Sequence, residues 1–299
     1  MIMHDWLKTA HDQLIHASFL AFLEKTFRTV SPGTHYLHNW HIEAIAAHLN
    51  ACERGEITRL IINMPPRMLK SVTVSVAWPA WLLAHNPAQR VMVASYAQSL
   101  SMKHSTDCRL VMQSQWYRRI FPNTQLSDDQ NEKDKYVTTA RGHRIAVSVG
   151  GAATGEGGNI LIVDDPLNPL QAMQQSARTA SNEWFDHTFS SRLDDKRRGV
   201  IVVVMQRLHL DDLSGHLLKK QGWTLLSLPA IATHAESIRC GNYIYQREQS
   251  SLLHPAREDD ALLARAKCEL GESNFSAQYQ QQPVTQEGQM LKLEWFKRF

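Results

Sequence analysis

The chain has 299 residues, 43% hydrophobic and 20% charged, with a formal net charge of +3. That is enough for one large domain or two small ones with a real core, and it reads as a soluble globular protein in which any basic patch must be local. The scattered cysteines (Cys52, Cys108, Cys240, Cys268) and the fifteen histidines, which fall in no ligand spacing, suggest neither a zinc site nor a disulfide framework; no signal-peptide layout opens the chain, and its longest apolar run, near 72–84, is too short for a bilayer and contains Pro79.

Residues 4–28 carry Leu7, Leu14, Ile15, Phe19, Phe22, Leu23 and Phe27 at helical spacing, and Ser31-Pro32-Gly33 ends that helix. A second helix starts after Asn39, a plausible N-cap, with Ile42, Ile45, Ala46 and Leu49 on one face. Trp40 and His41 stand at its start, either as rings that hold a nucleotide base or, for Trp40, as a core anchor.

Next comes T-R-L-I-I-N-M-P-P-R-M-L-K-S, residues 58–71, followed by an apolar run suited to a buried helix. Strand, tight loop ending in Lys-Ser, then helix is the layout of a phosphate-binding loop. Backbone N–H groups of such a loop wrap a phosphate, and the helix N-terminus adds partial positive charge. Lys70 would reach the β- and γ-phosphates and the Ser71 hydroxyl would ligate Mg²⁺. The usual pattern is G-x-x-x-x-G-K-[ST]; here Met64 and Leu69 hold the glycine places, so the Leu69 side chain must turn away from the phosphates or the loop must differ. The plain alternative is a strand, a Pro-Pro turn and a buried helix with one snorkelling lysine.

A strand is expected at 90–96, a helix at about 98–113, an exposed polar loop at 123–135, and a hairpin around Arg141-Gly142. Glycines 150, 151, 155, 157 and 158 then lead into I-L-I-V-D-D-P, a buried strand ending in Asp164-Asp165. Carboxylates at the C-terminal end of a parallel strand sit where open α/β sheets bind ligands. Asp164 would hold Mg²⁺ and Asp165 would orient and deprotonate the attacking water; the bland reading is a strand end capped by a D-D-P turn. A helix around 180–193 precedes a buried strand at 199–205, which ends in Gln206, placed to sense a γ-phosphate. Arg207, His209, Asp211 and Asp212 follow, the two aspartates also able to cap the next helix. A last strand is expected at 223–231, and from 232 onward a small appended subdomain with a helix near 258–270. Strands alternating with helices predict an α/β fold with a mostly parallel sheet covered on both faces.

Taken together, W-H-I-E-A-I (40–45), L-I-I-N-M-P-P-R-M-L-K-S (60–71), V-A-S-Y-A-Q-S-L (93–100), W-Y-R-R-I-F-P (116–122), the T-G-x-G-G loop leading to I-L-I-V-D-D-P, M-Q-R-L-H-L-D-D-L (205–213) and F-S-A-Q-Y-Q-Q-Q-P (275–283) resemble the large terminase subunit of tailed bacteriophages, in its N-terminal DNA-packaging ATPase part. The resemblance covers nearly the whole chain. It implies a P-loop NTPase of the ASCE type: N-terminal helices with an adenine-side region (1–57), an ATPase core (58–231), and a lid subdomain and linker (232–299). ATP and Mg²⁺ are the implied cofactors. Pro66, Arg67, Lys70 and Ser71 match the family's deviant Walker A loop. Asp164 matches the Walker B metal carboxylate alongside Ser71, and Asp165 takes the place of the catalytic glutamate, with Lys70 and Arg67 on the phosphates. Gln206 matches the coupling motif, and Trp40 and His41 lie where an adenine motif would stand.

The implied function is ATP-driven translocation of double-stranded DNA, gripped by its phosphate backbone, into a procapsid. The implied partners are a portal protein, a small terminase subunit and further copies in a ring, in the cytoplasm of a bacterial host and with no membrane. Three features depart from the family's pattern. Leu69 replaces the glycine before the lysine, although loops of this kind occur among phage terminases. Glu156 stands in the glycine loop where many relatives carry an arginine that acts between subunits, leaving Arg141, Arg144 and Arg207 as candidates. The sequence ends at Phe299, just after K-L-E-W-F-K-R-F, where relatives continue into a nuclease domain. The expectation is therefore a motor without its own nuclease, served by a separate nuclease subunit; the alternatives are a catalytically inactive prophage remnant or accessory binding subunit, and a helicase-like P-loop ATPase.

Overall fold

The structure is a computed structural model that describes residues 2–151 and 155–284, with side chains from Thr9 onward. The K-L-E-W-F-K-R-F stretch, Thr154 of the glycine loop and the Leu7 side chain lie outside the described residues.

Among the described residues, ten strands form an eight-stranded sheet, in the order β3-β4-β5-β2-β6-β7-β1-β8, and a separate hairpin of β9 and β10. The parallel part joins β5 (His143–Ser148), β2 (Arg90–Ser95), β6 (Ile160–Asp164), β7 (Val200–Met205), β1 (Arg59–Asn63) and β8 (Thr224–Ser227). β6 and β7 are buried along their whole length, which explains their unbroken apolar runs: with helices on both faces, neither side of the strand meets water. Alternate side chains feed two cores. Leu60, Ile62, Ile162 and Val202 face one cluster; Ile61, Leu161, Val163 and Val203 face the other. β7 lies between β1 and β6.

The helices on the first face are α1 (Ile2–Ala17), α2 (Phe19–Val30), α3 (Trp40–Glu53), α4 (Trp78–His85), α5 (Gln98–Gln113) and α6 (Gln115–Ile120). The single helix expected over 4–28 is two: Ser18 is extended and its Oγ accepts the Ala21 N–H, capping α2. Phe22 packs edge-on against Trp81, Trp116, Tyr117 and Phe121, tying α2 to α4 and α6. On the other face, Trp184 at the end of α8 (Gln175–Trp184) and Leu213 and Leu217 of α9 (Leu213–Leu218) cover the sheet; α7 (Pro169–Met173) is a short helix before α8.

Three expectations change. Part of the 123–135 loop is a strand, β3 (Leu126–Asn131), paired with β4 (Lys135–Thr138) across a bulge; as a polar edge strand it carries no apolar alternation to read. The strand expected over 223–231 stays in the sheet only over Thr224–Ser227. The helix after the phosphate loop begins as a π-helix, Val72–Ala77, in which Trp78 N–H bonds Thr73 O. Pro79 has no N–H to give the Ser75 carbonyl, and that carbonyl is taken instead by Nη2 of the fully buried Arg144 at 3.1 Å. The expected Arg141-Gly142 hairpin forms between β4 and β5, with Arg141 at φ 69°.

Beyond residue 232 come β9 (Glu236–Cys240), β10 (Tyr243–Arg247), α10 (Asp260–Leu270), capped by Asp259, and α11 (Glu272–Gln278).

Candidate nucleotide site

β1 delivers the loop to the C-terminal edge of the sheet. Met64 and Met68 are buried in the core, and Met64 N–H bonds Met205 O at 3.2 Å. The first glycine place of the usual motif is thus a packing position here. Arg67 and Leu69 have φ 63° and 65°, in the left-handed region that ordinarily favours glycine. Leu69 keeps that backbone path because its half-buried side chain packs against the main core cluster. Its carbonyl accepts the Thr73 N–H and hydroxyl, which starts the following helix.

The loop meets both carboxylates. Lys70 Nζ lies 2.8 Å from Asp165 Oδ2. Ser71 Oγ donates to Asp164 Oδ1 at 3.0 Å, and Ser75 Oγ donates to Asp164 Oδ2 at 2.7 Å. His104 Nδ1 approaches the same Oδ2 at 3.5 Å, but burial pushes this imidazole down to about 4, so near neutral pH it carries no charge and forms no ion pair. Burial pushes both aspartates up from the usual carboxylate range, and the Lys70 ammonium opposes it at both. Asp165 sits at φ 46°, held by its N–H to Val204 O and by its carbonyl accepting the Tyr96 N–H; its Oδ1 accepts the Gln206 N–H at 3.3 Å. A strained residue that three strands fix in place is typical of functional sites.

Pro66, Arg67, Lys70, Ser71, Asp165 and Gln206 all line one cleft of about 540 Å³. Sequence reasoning missed several of its other walls: Phe27, Ser31 and Thr34 from the end of α2 and the loop after it, Lys103 of α5, and Arg257 from the C-terminal segment. Ser75 was missed as well, although it stands four residues after Ser71, a spacing that keeps two hydroxyls on one helix face. Ser71 Oγ and Asp164 Oδ1 are hard oxygen donors side by side, which suits Mg²⁺; an ion carried by phosphates needs only one or two protein ligands. Among the described residues no three His, Cys, Asp or Glu gather to hold a metal by themselves.

Trp40 and His41 do not join this cleft. Trp40 stacks on Tyr245 at 4.2 Å and 6°, with the Arg247 guanidinium 5.3 Å from its ring. His41 is fully buried, its Nε2 3.3 Å from Met68 O and its Nδ1 2.5 Å from Asn39 Nδ2. Both rings pack against protein: Trp40 clasps the hairpin, and His41 braces the 64–71 loop from behind. Asn39 occupies the cap position without capping; its amide donates to Leu253 O.

The segment after Gln206 is fixed by a buried pair. Arg207 Nε bonds both oxygens of Asp212 at 3.1 and 3.0 Å, and Asp212 also accepts N–H groups of Leu208, His209 and Gly215. Gln281 Oε1 accepts the Arg207 N–H, and Gln280 bonds both backbone groups of Ile231, so the Q-Q-Q-P motif pins the C-terminal segment to this loop. Arg207 and Arg144 are both buried, whereas Arg141 is exposed at the β4–β5 turn. Glu156 pairs with Lys135 at 2.5 Å.

No protein-family model matches the chain, and no curated protein does either. Solved structures do. A mutant of the large terminase ATPase domain of Thermus phage P74-26 aligns over 86% of this chain and 97% of its own, with a TM-score of 0.55 and 12% identity. The large terminase of bacteriophage HK97 aligns over 72% of this chain and 44% of its own (TM-score 0.46, 12% identity), and the large terminase of a thermophilic bacteriophage over 80% and 52% (0.49, 8%). This chain thus spans about half the length of the latter two. The fold is that of a terminase ATPase domain, the P-loop α/β fold expected from the motifs.

Proposed function

We propose that the chain is the ATP-hydrolysing motor of a phage terminase, driving double-stranded DNA into a procapsid. The observation that carries this is the convergence of Lys70 with Asp165 and of Ser71 with Asp164 at the C-terminal edge of a terminase-type sheet. On this reading the N-terminal helices run to residue 57, the ATPase core spans 58–231, and 232–299 form a lid and linker.

Lys70 and Arg67 bind the phosphates, with the loop N–H groups and the start of the following helix around them. Ser71 and Asp164 would hold Mg²⁺, which when bound neutralises charge on the β- and γ-oxygens. Ser75 fixes the Asp164 carboxylate from behind. When Lys70 turns to the phosphates it releases Asp165, which then orients the attacking water and takes its proton as the new P–O bond forms and the bond to ADP breaks. Gln206 stands on the same cleft wall, its backbone already bonded to Asp165, so a change at the γ-phosphate reaches the Arg207–Asp212 loop. The proposed partners are the phosphate backbone of DNA, a portal protein, a small terminase subunit and further copies in a ring, in the cytoplasm of a bacterial host. No helix among the described residues is long and apolar enough to cross a membrane.

The test is Mg²⁺-dependent ATP hydrolysis by the purified chain, with and without double-stranded DNA, beside Lys70→Ala. Turnover that rises with DNA and falls roughly 100-fold or more in Lys70→Ala is expected, since the lysine acts on transition-state charge. Equal turnover in the two proteins, or an ATPase indifferent to DNA, would overturn the motor reading.

A further inference from the structure

We infer that Arg257 carries the C-terminal segment's contact to the nucleotide, binding its phosphates together with Arg67 and Lys70. This rests on the nucleotide reading of the cleft and adds a residue that no sequence motif marks.

Arg257 lines the same cleft as the phosphate loop although it lies far along the chain. Of the cations there, Lys70 is paired with Asp165 and Lys103 with Asp107 at 2.5 Å. Arg67 and Arg257 have no side-chain hydrogen bond or ion pair among the described residues, and Arg257 is half-buried. The nearest acid, Glu258, acts on Arg257 only at a distance and makes no ion pair with it, and burial pushes that carboxyl up toward its neutral form; a half-buried guanidinium so placed favours a closer anion, and its planar fork suits phosphate oxygens.

Its position is fixed before any ligand arrives. Arg257 and Glu258 N–H groups both bond His254 O at 3.0 Å. Asn39 Nδ2 donates to Leu253 O at 2.7 Å, and His254 packs on His41 with ring centroids 5.5 Å apart. His41 in turn lies against Met68 O of the phosphate loop. Residues 253–254 and the loop are therefore both braced against His41, so the backbone that carries Arg257 is placed before binding and only its side chain is left to order. Phosphates held between Arg67 and Arg257 would bridge the core and the C-terminal segment, making nucleotide occupancy a contact between them.

Equilibrium binding of Mg·ATP and of inorganic triphosphate to the full chain tests this, with thermal unfolding of each unliganded protein as the control for folding. The proteins are wild type, Arg257→Ala, Arg257→Lys and Lys70→Ala. Arg257→Ala is expected to weaken both ligands by roughly tenfold or more, the size of a lost charged hydrogen bond. Arg257→Lys is expected to recover part of the loss, with unliganded Tm unchanged in both. Unchanged affinity in Arg257→Ala, beside lost binding in Lys70→Ala, overturns the role of Arg257 and leaves the nucleotide site standing. A loss for ATP with none for inorganic triphosphate overturns it too, by assigning Arg257 to the base or ribose. Wild-type protein that binds neither ligand removes the nucleotide reading and this inference together.

Discussion

Leu69 holds a left-handed backbone, φ 65°, at the place where the common loop has glycine, and packs its side chain into the core. Those two effects have opposite signs. Leu69→Ala keeps the backbone penalty and loses the packing, a cost of about 1–2 kcal/mol for a half-buried leucine. Leu69→Gly loses the same packing but relieves about 1 kcal/mol of left-handed strain. Urea unfolding should therefore rank glycine above alanine here, the reverse of their order in an ordinary helix; alanine as stable as glycine would contradict the strain. His41 yields a pH prediction. Burial, the largest cause, drives its pKa from 6.5 down to about 3. The unfolded chain takes the proton first, so the stability that neutral His41 supplies is complete above 6.5 and is lost as pH falls toward 3, by about 2 kcal/mol at pH 5. Urea unfolding at pH 7 and pH 5 measures it, and His41→Gln should flatten that part of the profile.

Among the elements, the segment Gln206–Asp212 with α9 depends on one carboxylate. α9 has six residues, too few to persist without help. Asp212 caps it and neutralises Arg207, which is 9% exposed. Gly215 closes the turn: a Cβ there would lie 1.8 Å from Leu210 O. Asp212→Ala strands a buried guanidinium and should destabilise the protein by about 3–5 kcal/mol. Asp212→Asn can keep the Gly215 cap through Oδ1 but turns an NH2 toward Arg207 and the Leu208 and His209 N–H groups, so it should cost nearly as much as Asp212→Ala in urea unfolding; a much smaller loss would show that the cap, not the charge, holds the loop. The helix after the phosphate loop shows how an element can be legible and its geometry not. Its apolar run is plain in the sequence, but neither its π-helical start nor the Arg144 guanidinium that β5 sends to the Ser75 carbonyl is.

Across the molecule, the hairpin β9–β10 is held to α3 by the Trp40–Tyr245 stack and by Tyr243 Oη donating to Trp40 O at 2.9 Å. The stack and the Arg247 cation together contribute about 1–2 kcal/mol. Trp40→Ala should raise amide exchange over residues 236–247 and leave ATP affinity nearly unchanged. A large loss of ATP affinity with the hairpin still protected would return Trp40 to the base-binding role its place in the sequence suggested.

Local pattern along the chain specifies the sheet and the polar groups that meet at its C-terminal edge. Strands covered on both faces must be apolar throughout, and a loop that wraps phosphate must end in Lys-Ser before a helix, so β1, β6, β7 and the set Lys70, Ser71, Asp164 and Asp165 are readable without coordinates. The polar edge strand β3 and the break at Ser18 are not, because an exposed strand needs no apolar alternation and a single serine can end one helix and cap the next. Which rings and cations stand at the cleft is settled by the packing of the layers. Trp40 and His41 lie close to the loop in sequence, yet they pack on Tyr245 and Met68, while Arg257 is brought to the cleft by its neighbours in the chain, through the Leu253–Asn39 bond and the His254–His41 contact. A local pattern records what a residue needs from its neighbours in sequence; which distant side chain it meets depends on how helices and sheet come together in three dimensions.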